Sequence, residues 1–254
     1  MNDAKIIIPA RYASSRFPGK PLAELEGQTV IARVVRAALQ SRASRPIYVA
    51  TDDSRIATEV ESQFSPTEAQ VVMTSEKCHT GTDRLAEAIQ TLALPLGVRQ
   101  IVVNVQGDEP FLDPTHVNAL LNLMDEQSDL QMATLATPLL SETQFLDPNT
   151  VKAVVSQRQR ALYFSRAPIP FDREKTGTVQ PLRHLGIYAY EARWLLQMAA
   201  LPPSPLEESE KLEQLRALDA GIAIGVAIVE NVVPIAIDTP EDLERARLYL
   251  RAAA

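Results

Sequence analysis

Short runs of apolar residues alternate with segments of helical periodicity along the first half of the chain. The runs KIIIP, PIYVAT, AQVVMT and QIVVNVQ are rich in β-branched residues and are typical of strands buried on both faces. Between them lie amphipathic segments typical of helices, QTVIARVVRAALQSR, DSRIATEVESQF, GTDRLAEAIQTLAL and PTHVNALLNLMDEQ. Asp53 and Asp113 stand where two of these helices would begin, and Pro114 suits a first helical position. The alternation predicts a doubly wound α/β fold with a mostly parallel sheet flanked by helices.

The pattern changes after about residue 130. The strand-like segments QMATLATP, VKAVVS, ALYFSRAP and RHLGIYAY follow one another closely, and IAIGVAIVE and VVPIAID come later. We expect them to add an antiparallel extension to the sheet. A single helix is expected within LEESEKLEQLRALD, and a final helix begins at the capping box formed by Thr239 and Asp242. No linker divides the chain, which predicts one domain over residues 1–254.

Composition narrows the classes of function. The 254 residues carry a net charge of −7, which argues against nucleic-acid binding because such proteins usually have a basic footprint. The only cysteine is Cys78, so no internal disulfide can form and a cytoplasmic location is expected. No apolar run approaches the length of a membrane span, so no membrane association is expected.

The loop after the first predicted strand concentrates positive charge in this acidic chain. It carries Arg11, Arg16 and Lys20, and ligands of open α/β sheets bind beyond the carboxyl ends of the strands. Small residues that let main-chain N–H groups approach phosphate oxygens lie between these cations: Ser14, Ser15 and Gly19. Proline follows Lys20 and no GxGxxG occurs, which excludes a Walker A loop and a dinucleotide fingerprint. The loop predicts a triphosphate site of another type, with a solvated basic loop as the alternative.

Two aspartates follow predicted strands on the same side of the sheet. Asp108 comes after VVNVQG, and Asp238 comes after VVPIAI. Beside a triphosphate, two such carboxylates suit Mg²⁺, although each is also compatible with an ordinary turn or a position before a helix cap. A third candidate site lies where another helix is predicted to begin, and it would bind an anion or a base through Thr80, Gly81, Thr82 and Arg84. The alternative for these residues is that they only cap the helix.

With these motifs assembled, the sequence resembles the 3-deoxy-D-manno-octulosonate (Kdo) cytidylyltransferases of the sugar nucleotidyltransferase superfamily. The matching segments span nearly the whole chain in order: IIPARYASSRFPGKPL, VATDD, HTGTDRLAEA, VNVQGDEP, MATLATP, ALYFSRAPIPFDRE, RHLGIYAY, PSPLEESEKLEQLR and IDTPEDLERAR. The resemblance implies a nucleotide-diphospho-sugar transferase-like fold. Residues 1–130 would mainly bind nucleotide, and residues 131–230 would mainly bind sugar and form a homodimer.

The resemblance also implies the reaction CTP + Kdo → CMP-Kdo + pyrophosphate with Mg²⁺, which activates Kdo for lipopolysaccharide synthesis. Residues implied to bind the CTP phosphates are Arg11, Ser14, Arg16 and Lys20. Residues implied to lie near the cytidine are Thr80, Gly81, Thr82 and Arg84. Asp108 and Asp238 would hold the metal and, with Lys20 and Arg16, would form the catalytic set. Residues implied to hold the acid sugar are Gln106, Arg166, His184, Tyr188, Glu213 and Gln214.

Several alternatives stay open at this stage. Another cytidylyltransferase, acting on a sialic acid or an amino-substituted Kdo, would have the same motifs. A non-catalytic nucleotide-sugar sensor is disfavoured because Lys20 and both aspartates are present. From the residues alone, His184 is also compatible with a core histidine, and Glu213 with an exposed helix position. Arg166 could be a surface arginine paired with Asp172 or Glu174. No residue stands out as a separate general base.

Overall fold

The computed structural model describes residues 4–14, 16–78, 80–230, 232–233 and 235–253. Ser15, one of the expected phosphate contacts, lies outside the described residues. The chain forms two compact units, the first made of residues 1–118 and 233–254 and the second of residues 119–232. The sequence-based expectation of one domain stays a prediction, and each unit is described by itself.

The strands of the two units, numbered in chain order, are β1 (Lys5–Ala10), β2 (Glu24–Leu25), β3 (Gln28–Thr29), β4 (Ser44–Thr51), β5 (Ala69–Met73), β6 (Ile101–Asn104), β7 (Met132–Pro138), β8 (Lys152–Val155), β9 (Ala161–Ser165), β10 (Leu182–Glu191) and β11 (Ile224–Ile228). The helices are α1 (Val30–Ala38), α2 (Ser54–Gln63), α3 (Gly81–Thr91), α4 (Pro114–Glu126), α5 (Glu142–Leu146), α6 (Ala192–Ala200), α7 (Pro205–Glu210), α8 (Gln214–Asp219) and α9 (Pro240–Ala253). None of these helices, within the described part of the chain, is long and apolar enough to cross a membrane.

The first unit contains the parallel sheet that the sequence predicts. Its strands lie in the order β6-β1-β4-β5, and every pair is parallel. The side chains of Ile6, Ile7 and Ile8 in β1 are completely buried, as expected for a strand covered on both faces. Asp53 caps α2 by accepting the main-chain N–H of Arg55 at 2.9 Å, which confirms the predicted helix start. Chain order reverses between β1 and β6, where α/β proteins bind their ligands.

The second unit contains the expected antiparallel extension. β10 pairs antiparallel with β7 and β8, and β8 pairs antiparallel with β9, while β11 runs parallel to β7. The register between β10 and β7 is interrupted between Leu185 and Tyr188. The hydroxyl of Thr134 in β7 donates to the carbonyls of Leu185 and Ile187, at 3.0 and 2.9 Å, where the ladder is broken. The doubly wound α/β class with an antiparallel extension is therefore confirmed.

Two local predictions are wrong. VVPIAID forms no strand at residues 232–233 or 235–238. Its proline lacks an N–H for a ladder, and Ile237 donates its N–H to the carbonyl of Asp108 at 2.9 Å instead. The expected single helix after residue 204 is two helices, α7 and α8, because Lys211 takes a left-handed conformation with φ of 54°.

Candidate active site

The cationic loop is held in a tight turn beyond β1. The main-chain N–H groups of Ser14 and Gly19 both donate to the carbonyl of Tyr12, each at 2.9 Å. Gly19 has φ of 76°, and a Cβ there would lie 3.0 Å from the Tyr12 ring, so the turn requires glycine. A single turn of 3-10 helix, Lys20–Leu22, follows directly and fixes the position of Lys20.

Lys20 contacts both predicted metal carboxylates. Its Nζ lies 2.5 Å from Oδ2 of Asp108 and 2.9 Å from Oδ1 of Asp238. Arg16 pairs with the other oxygen of Asp238 at 3.0 Å. Burial by itself lowers the pKa of Lys20, but the charge of Asp108 and hydrogen bonds to both carboxylates outweigh it, so the pKa is raised. Lys20 is therefore a cation over the whole physiological range.

Gly107 and Ile237 explain why two aspartates so distant in sequence meet. A Cβ on Gly107 would lie 2.8 Å from the carbonyl oxygen of Pro9, so only glycine lets the chain after β6 pass this close to β1. Ile237 is fully buried and packs with Leu25 and Leu243. The hydrogen bond from its N–H to the Asp108 carbonyl then places Asp238 beside Asp108, although the described residues 235–237 directly before Asp238 form no strand.

The two carboxylates suit a hard cation. Oxygens of both contact one nitrogen atom, so a positive charge already lies between them. No group of three or more His, Cys, Asp or Glu side chains able to hold a metal occurs among the described residues. A metal at this position would therefore complete its shell with water and phosphate oxygens, as Mg²⁺ does with nucleotides.

A pocket of about 280 Å³ lies in the first unit beside these carboxylates. Predicted site residues that line it are Arg11, Lys20, Thr80, Gly81, Arg84, Gln106, Asp108 and Asp238. Ser14, Arg16 and Thr82 lie outside its lining, although Arg16 reaches the pocket edge through its ion pair with Asp238.

The start of α3 forms one side of this pocket and contains a capping box. The Thr80 hydroxyl accepts the N–H of Asp83 at 3.1 Å, and the Asp83 carboxylate accepts the N–H of Thr80 at 3.0 Å. Arg84 is buried, and its guanidinium donates to Asp52 at 2.9 Å and to Thr74 at 2.5 Å. Arg84 thus lines the pocket while its charge is balanced by Asp52, a partner that sequence reasoning missed although VATDD contains it.

Cys78 also lines the pocket, and no sequence motif predicts this placement. Its thiol donates to the carboxylate of Glu87 at 3.0 Å. Burial, together with this negative neighbour, raises the pKa of Cys78 to about 11. The thiol is therefore neutral at physiological pH and is unsuited to act as a nucleophile or a base.

Predicted sugar residues of the second unit lie around β10. The rings of His184 and Tyr188 are 5.5 Å apart between centroids, and Phe164 packs edge-on against His184 at 4.9 Å. The hydroxyl of Thr134 lies 3.0 Å from Nε2 of His184 and within hydrogen-bond distance of two main-chain carbonyls, which holds the imidazole in place. Burial, with nearby Arg183, lowers the pKa of His184 to about 3, so the ring is neutral.

Glu213 and Gln214 stand at the start of α8. Burial raises the pKa of Tyr188 above its usual range, and the charge of Glu213 raises it further. Gln214 is buried, and its Nε2 has no hydrogen-bond partner among the described residues. A buried amide without a partner is costly, so this donor is available to a ligand group or a water molecule. Glu213 is partly buried, so the alternative of an exposed helix position is wrong.

Arg166 is held by main-chain carbonyls. Its guanidinium donates to the carbonyls of Glu210 at 2.7 Å, Pro148 at 2.9 Å and Lys211 at 3.5 Å. A guanidinium has five N–H donors, so two remain for another acceptor. No ion pair joins Arg166 to Asp172 or Glu174 among the described residues, and Glu174 pairs with Arg173 instead. The alternative of a surface ion pair is therefore wrong.

Comparison with known proteins agrees with this arrangement. Residues 5–224 match the family described as Cytidylyltransferase. A 3-deoxy-manno-octulosonate cytidylyltransferase of Syntrophotalea carbinolica is 49% identical over 253 residues, covering 96% of this chain and 97% of the relative. An 8-amino-3,8-dideoxy-manno-octulosonate cytidylyltransferase of Shewanella pealeana is 46% identical, with 94% of each chain covered.

A solved structure has the same fold over its full length. It is a CMP:2-keto-3-deoxy-manno-octonic acid synthetase complexed with CTP, which covers 100% of both chains with a TM-score of 0.90 and 40% identity. The resemblance first drawn from separate motifs thus extends to the whole chain. The chain belongs to the cytidylyltransferase family and, within it, to the manno-octulosonate cytidylyltransferases.

Proposed function

We propose that this protein transfers CMP from CTP to Kdo and releases pyrophosphate. The observation that carries the proposal is the contact of Lys20 with both Asp108 and Asp238 beside a pocket lined by the predicted nucleotide residues. This arrangement offers a cation for phosphate and two carboxylates for a metal at the sheet edge where α/β proteins bind ligands. Intact carboxylates and Lys20 favour an enzyme over a non-catalytic nucleotide-sugar sensor.

In the proposed reaction, the oxygen of the sugar's anomeric hydroxyl attacks the α-phosphorus of CTP. A new P–O bond forms, the bond to the β-phosphate oxygen breaks, and pyrophosphate leaves while the hydroxyl proton passes to solvent. Such transfer depends mainly on positioning and on neutralising charge at the phosphates. Lys20 and Arg16 supply that neutralisation in the first unit. Mg²⁺ held by Asp108 and Asp238 would stabilise charge on the phosphates and lower the pKa of the attacking hydroxyl.

The second unit supplies groups that suit an acid sugar. The two remaining donors of the Arg166 guanidinium suit the sugar carboxylate. The neutral imidazole of His184 has one donor and one acceptor nitrogen that suit a sugar hydroxyl, and the Gln214 amide can donate a hydrogen bond. Because His184 is neutral, selectivity for an anionic sugar depends on the charge of Arg166.

An amino-substituted Kdo is the second candidate substrate. The relative from Shewanella pealeana, named for the 8-amino sugar, is almost as similar to this chain as the relative named for Kdo itself. Sialic acid is a weaker alternative. A panel of acid sugars separates the two octulosonate substrates.

The proposal includes a cytoplasmic homodimer that activates Kdo for lipopolysaccharide synthesis. Exposed apolar side chains in the second unit support a contact with a second copy, since Leu140 and Phe171 are 88% and 85% exposed. A surface pocket of about 620 Å³ lies beside Phe171. Phe171→Ser should shift the protein from dimer to monomer in light scattering, and an unchanged mass would contradict this interface.

Pyrophosphate release tests the reaction directly. The assay combines each of the four nucleoside triphosphates with Kdo, its 8-amino analogue and a sialic acid, with and without Mg²⁺. We expect turnover only with CTP and Mg²⁺, and the highest kcat/KM with Kdo. A higher value with the 8-amino sugar would assign the second candidate substrate. Tight binding of CTP and Kdo without pyrophosphate release would indicate a sensor instead.

A further inference from the structure

Lys152 is a buried cation that the proposed reaction does not use. It lies in β8, and its side chain is fully buried. Its Nζ donates to three main-chain carbonyls, those of Asp147 at 2.9 Å, Thr150 at 2.6 Å and Arg166 at 2.6 Å. An ammonium group has three N–H donors, so all are used. No carboxylate lies within ion-pair distance of Nζ among the described residues.

The carbonyls bound by Lys152 belong to the segments that also hold Arg166. The Arg166 guanidinium donates to the carbonyl of Pro148, within the 147–150 segment that Lys152 anchors at both ends. The carboxylate of Glu210 accepts the Ser165 hydroxyl at 2.5 Å and the Arg166 N–H at 2.9 Å. Residues 147–150, 165–166 and 210 therefore form one hydrogen-bonded network with Lys152 inside it.

Burying a charged side chain at this position costs free energy of folding. Burial lowers the pKa of Lys152, and the charges of Asp147 and Glu210 only partly oppose this effect, while Arg166 adds to it. An apolar side chain of similar size would avoid the cost of desolvating an ammonium group. What the lysine adds is three directed hydrogen bonds, which fix three carbonyl groups relative to one another.

We propose that Lys152 is a positioning residue for the acid sugar, acting through Arg166. It fixes the main chain at residue 166 and the 147–150 segment that binds the guanidinium, so the two remaining donors of Arg166 keep one orientation. This inference rests on the proposed function, in which Arg166 binds the sugar carboxylate. Lys152 itself contacts main-chain carbonyls and is not a catalytic residue.

The first test replaces Lys152 with methionine, an unbranched side chain one atom shorter that removes the three N–H donors. Lys152→Met should raise the KM for Kdo at least about tenfold, as expected when a charge-assisted contact loses its geometry, and change the KM for CTP less than about twofold. Lys152→Gln, which keeps N–H donors on a shorter stem, should have a smaller effect. The matched control is Ile224→Val, a mild change at a fully buried position of the same unit, which should lower the melting temperature and leave both KM values unchanged.

The second test asks whether Lys152 acts through Arg166. If it does, Lys152→Met should add little to the KM for Kdo in an Arg166→Ala background. Multiplying effects in the double variant, equal changes in both KM values, or failure of both Lys152 variants to fold would overturn the inference and leave Lys152 a structural residue. A wild-type protein that turns over no acid sugar would instead overturn the proposed function, and this inference with it.

Discussion

A buried or partly buried lysine in each unit has hydrogen-bond partners of a different kind. In the first unit, Lys20 is paired with carboxylates from residues 108 and 238, far apart in sequence. In the second unit, Lys152 and Arg166 are held by main-chain carbonyls. A carboxylate balances charge and can be exchanged for a phosphate oxygen, whereas a main-chain carbonyl is fixed by the fold and remains neutral.

The partners of the cations therefore differ in what they allow. In the first unit, Lys20 can exchange its carboxylate partners for phosphate oxygens, whereas in the second unit Lys152 and Arg166 keep their carbonyl partners. In the proposed reaction, Lys20 would pass from the carboxylates to a phosphate of CTP, and the carboxylates would pass to the proposed metal. In the second unit no such exchange is available, because the carbonyls stay where the chain places them. Variants should therefore change turnover and metal binding in the first unit, and sugar affinity in the second.

The largest effect should come from the carboxylates of the first unit. Asp108→Asn should lower turnover about 100-fold to 1000-fold, because it removes a charge needed for the metal while keeping the shape of the side chain. Asp238→Asn should cost somewhat less, since its side chain is 38% exposed against 24% for Asp108. Pyrophosphate release during Mg²⁺ titration measures both.

The control for the carboxylates is Asp129→Asn, at an exposed carboxylate that pairs with Arg160 in the second unit. It should leave turnover unchanged because exposed ion pairs contribute little. Near-normal rates in the Asp108 variant at the wild-type Mg²⁺ optimum would contradict the assignment of a metal to this pair.

The next largest effect tests whether Lys20 exchanges its carboxylate partners for phosphate. Lys20→Met should lower turnover about 100-fold by removing a cation that stabilises phosphate charge in the transition state. The same change should tighten binding of Mn²⁺ without nucleotide by about tenfold, because no ammonium group then competes for the carboxylates. Paramagnetic resonance of free Mn²⁺ measures this binding without any assay of activity. Equal Mn²⁺ affinity in the two proteins would show that Lys20 does not compete.

The first unit could be predicted from the sequence because its signals are local. The apolar strands, the Asp53 cap and the cationic loop after β1 each lie within a few residues of chain. The prediction for Asp238 relied on a preceding strand, and the described residues 232–233 and 235–238 form none. The position of Asp238 depends on the N–H of Ile237 and the carbonyl of Asp108, a contact between distant residues that no sequence pattern reveals.

The second unit was harder to predict because its cations have main-chain partners. Any residue type provides a carbonyl, so nothing at positions 147, 150 or 166 marks the site around Lys152. A lysine within VKAVVS also suggests an outward-facing strand position rather than a buried one. In the first unit, Arg84 lines the pocket beside the predicted nucleotide residues, but the sequence did not reveal that Asp52 balances its charge.

A smaller effect tests the fixed geometry of the second unit. Arg166→Ala should raise the KM for Kdo about 10-fold to 100-fold, the value of a lost charge-assisted contact, and change the KM for CTP less than about twofold. Arg166→Lys should recover only part of the loss, because an ammonium group cannot reproduce the planar fork. Steady-state kinetics with each substrate varied in turn measures both constants. Equal changes in the two would indicate that Arg166 only supports the fold.

The smallest expected effect is the pH dependence of the free energy of unfolding that arises from His184. Its pKa is about 3 in the folded protein and about 6.5 in an unfolded chain, so the unfolded state binds more protons between these values. The stabilisation from neutral His184 is complete above about pH 6.5 and is lost progressively as the pH falls toward 3. Between pH 7 and pH 5 the loss should be about 1–2 kcal/mol, because over this range the unfolded-state imidazole takes up a proton while the folded one stays neutral. Urea unfolding of wild type and His184→Gln at both pH values isolates this contribution, because the other titrating groups cancel in the difference. Glutamine can still donate to Thr134, so the variant should fold and be less sensitive to acid by that amount. Equal pH sensitivity in the two proteins would show that the pKa of His184 is not lowered by folding, which would contradict this assignment.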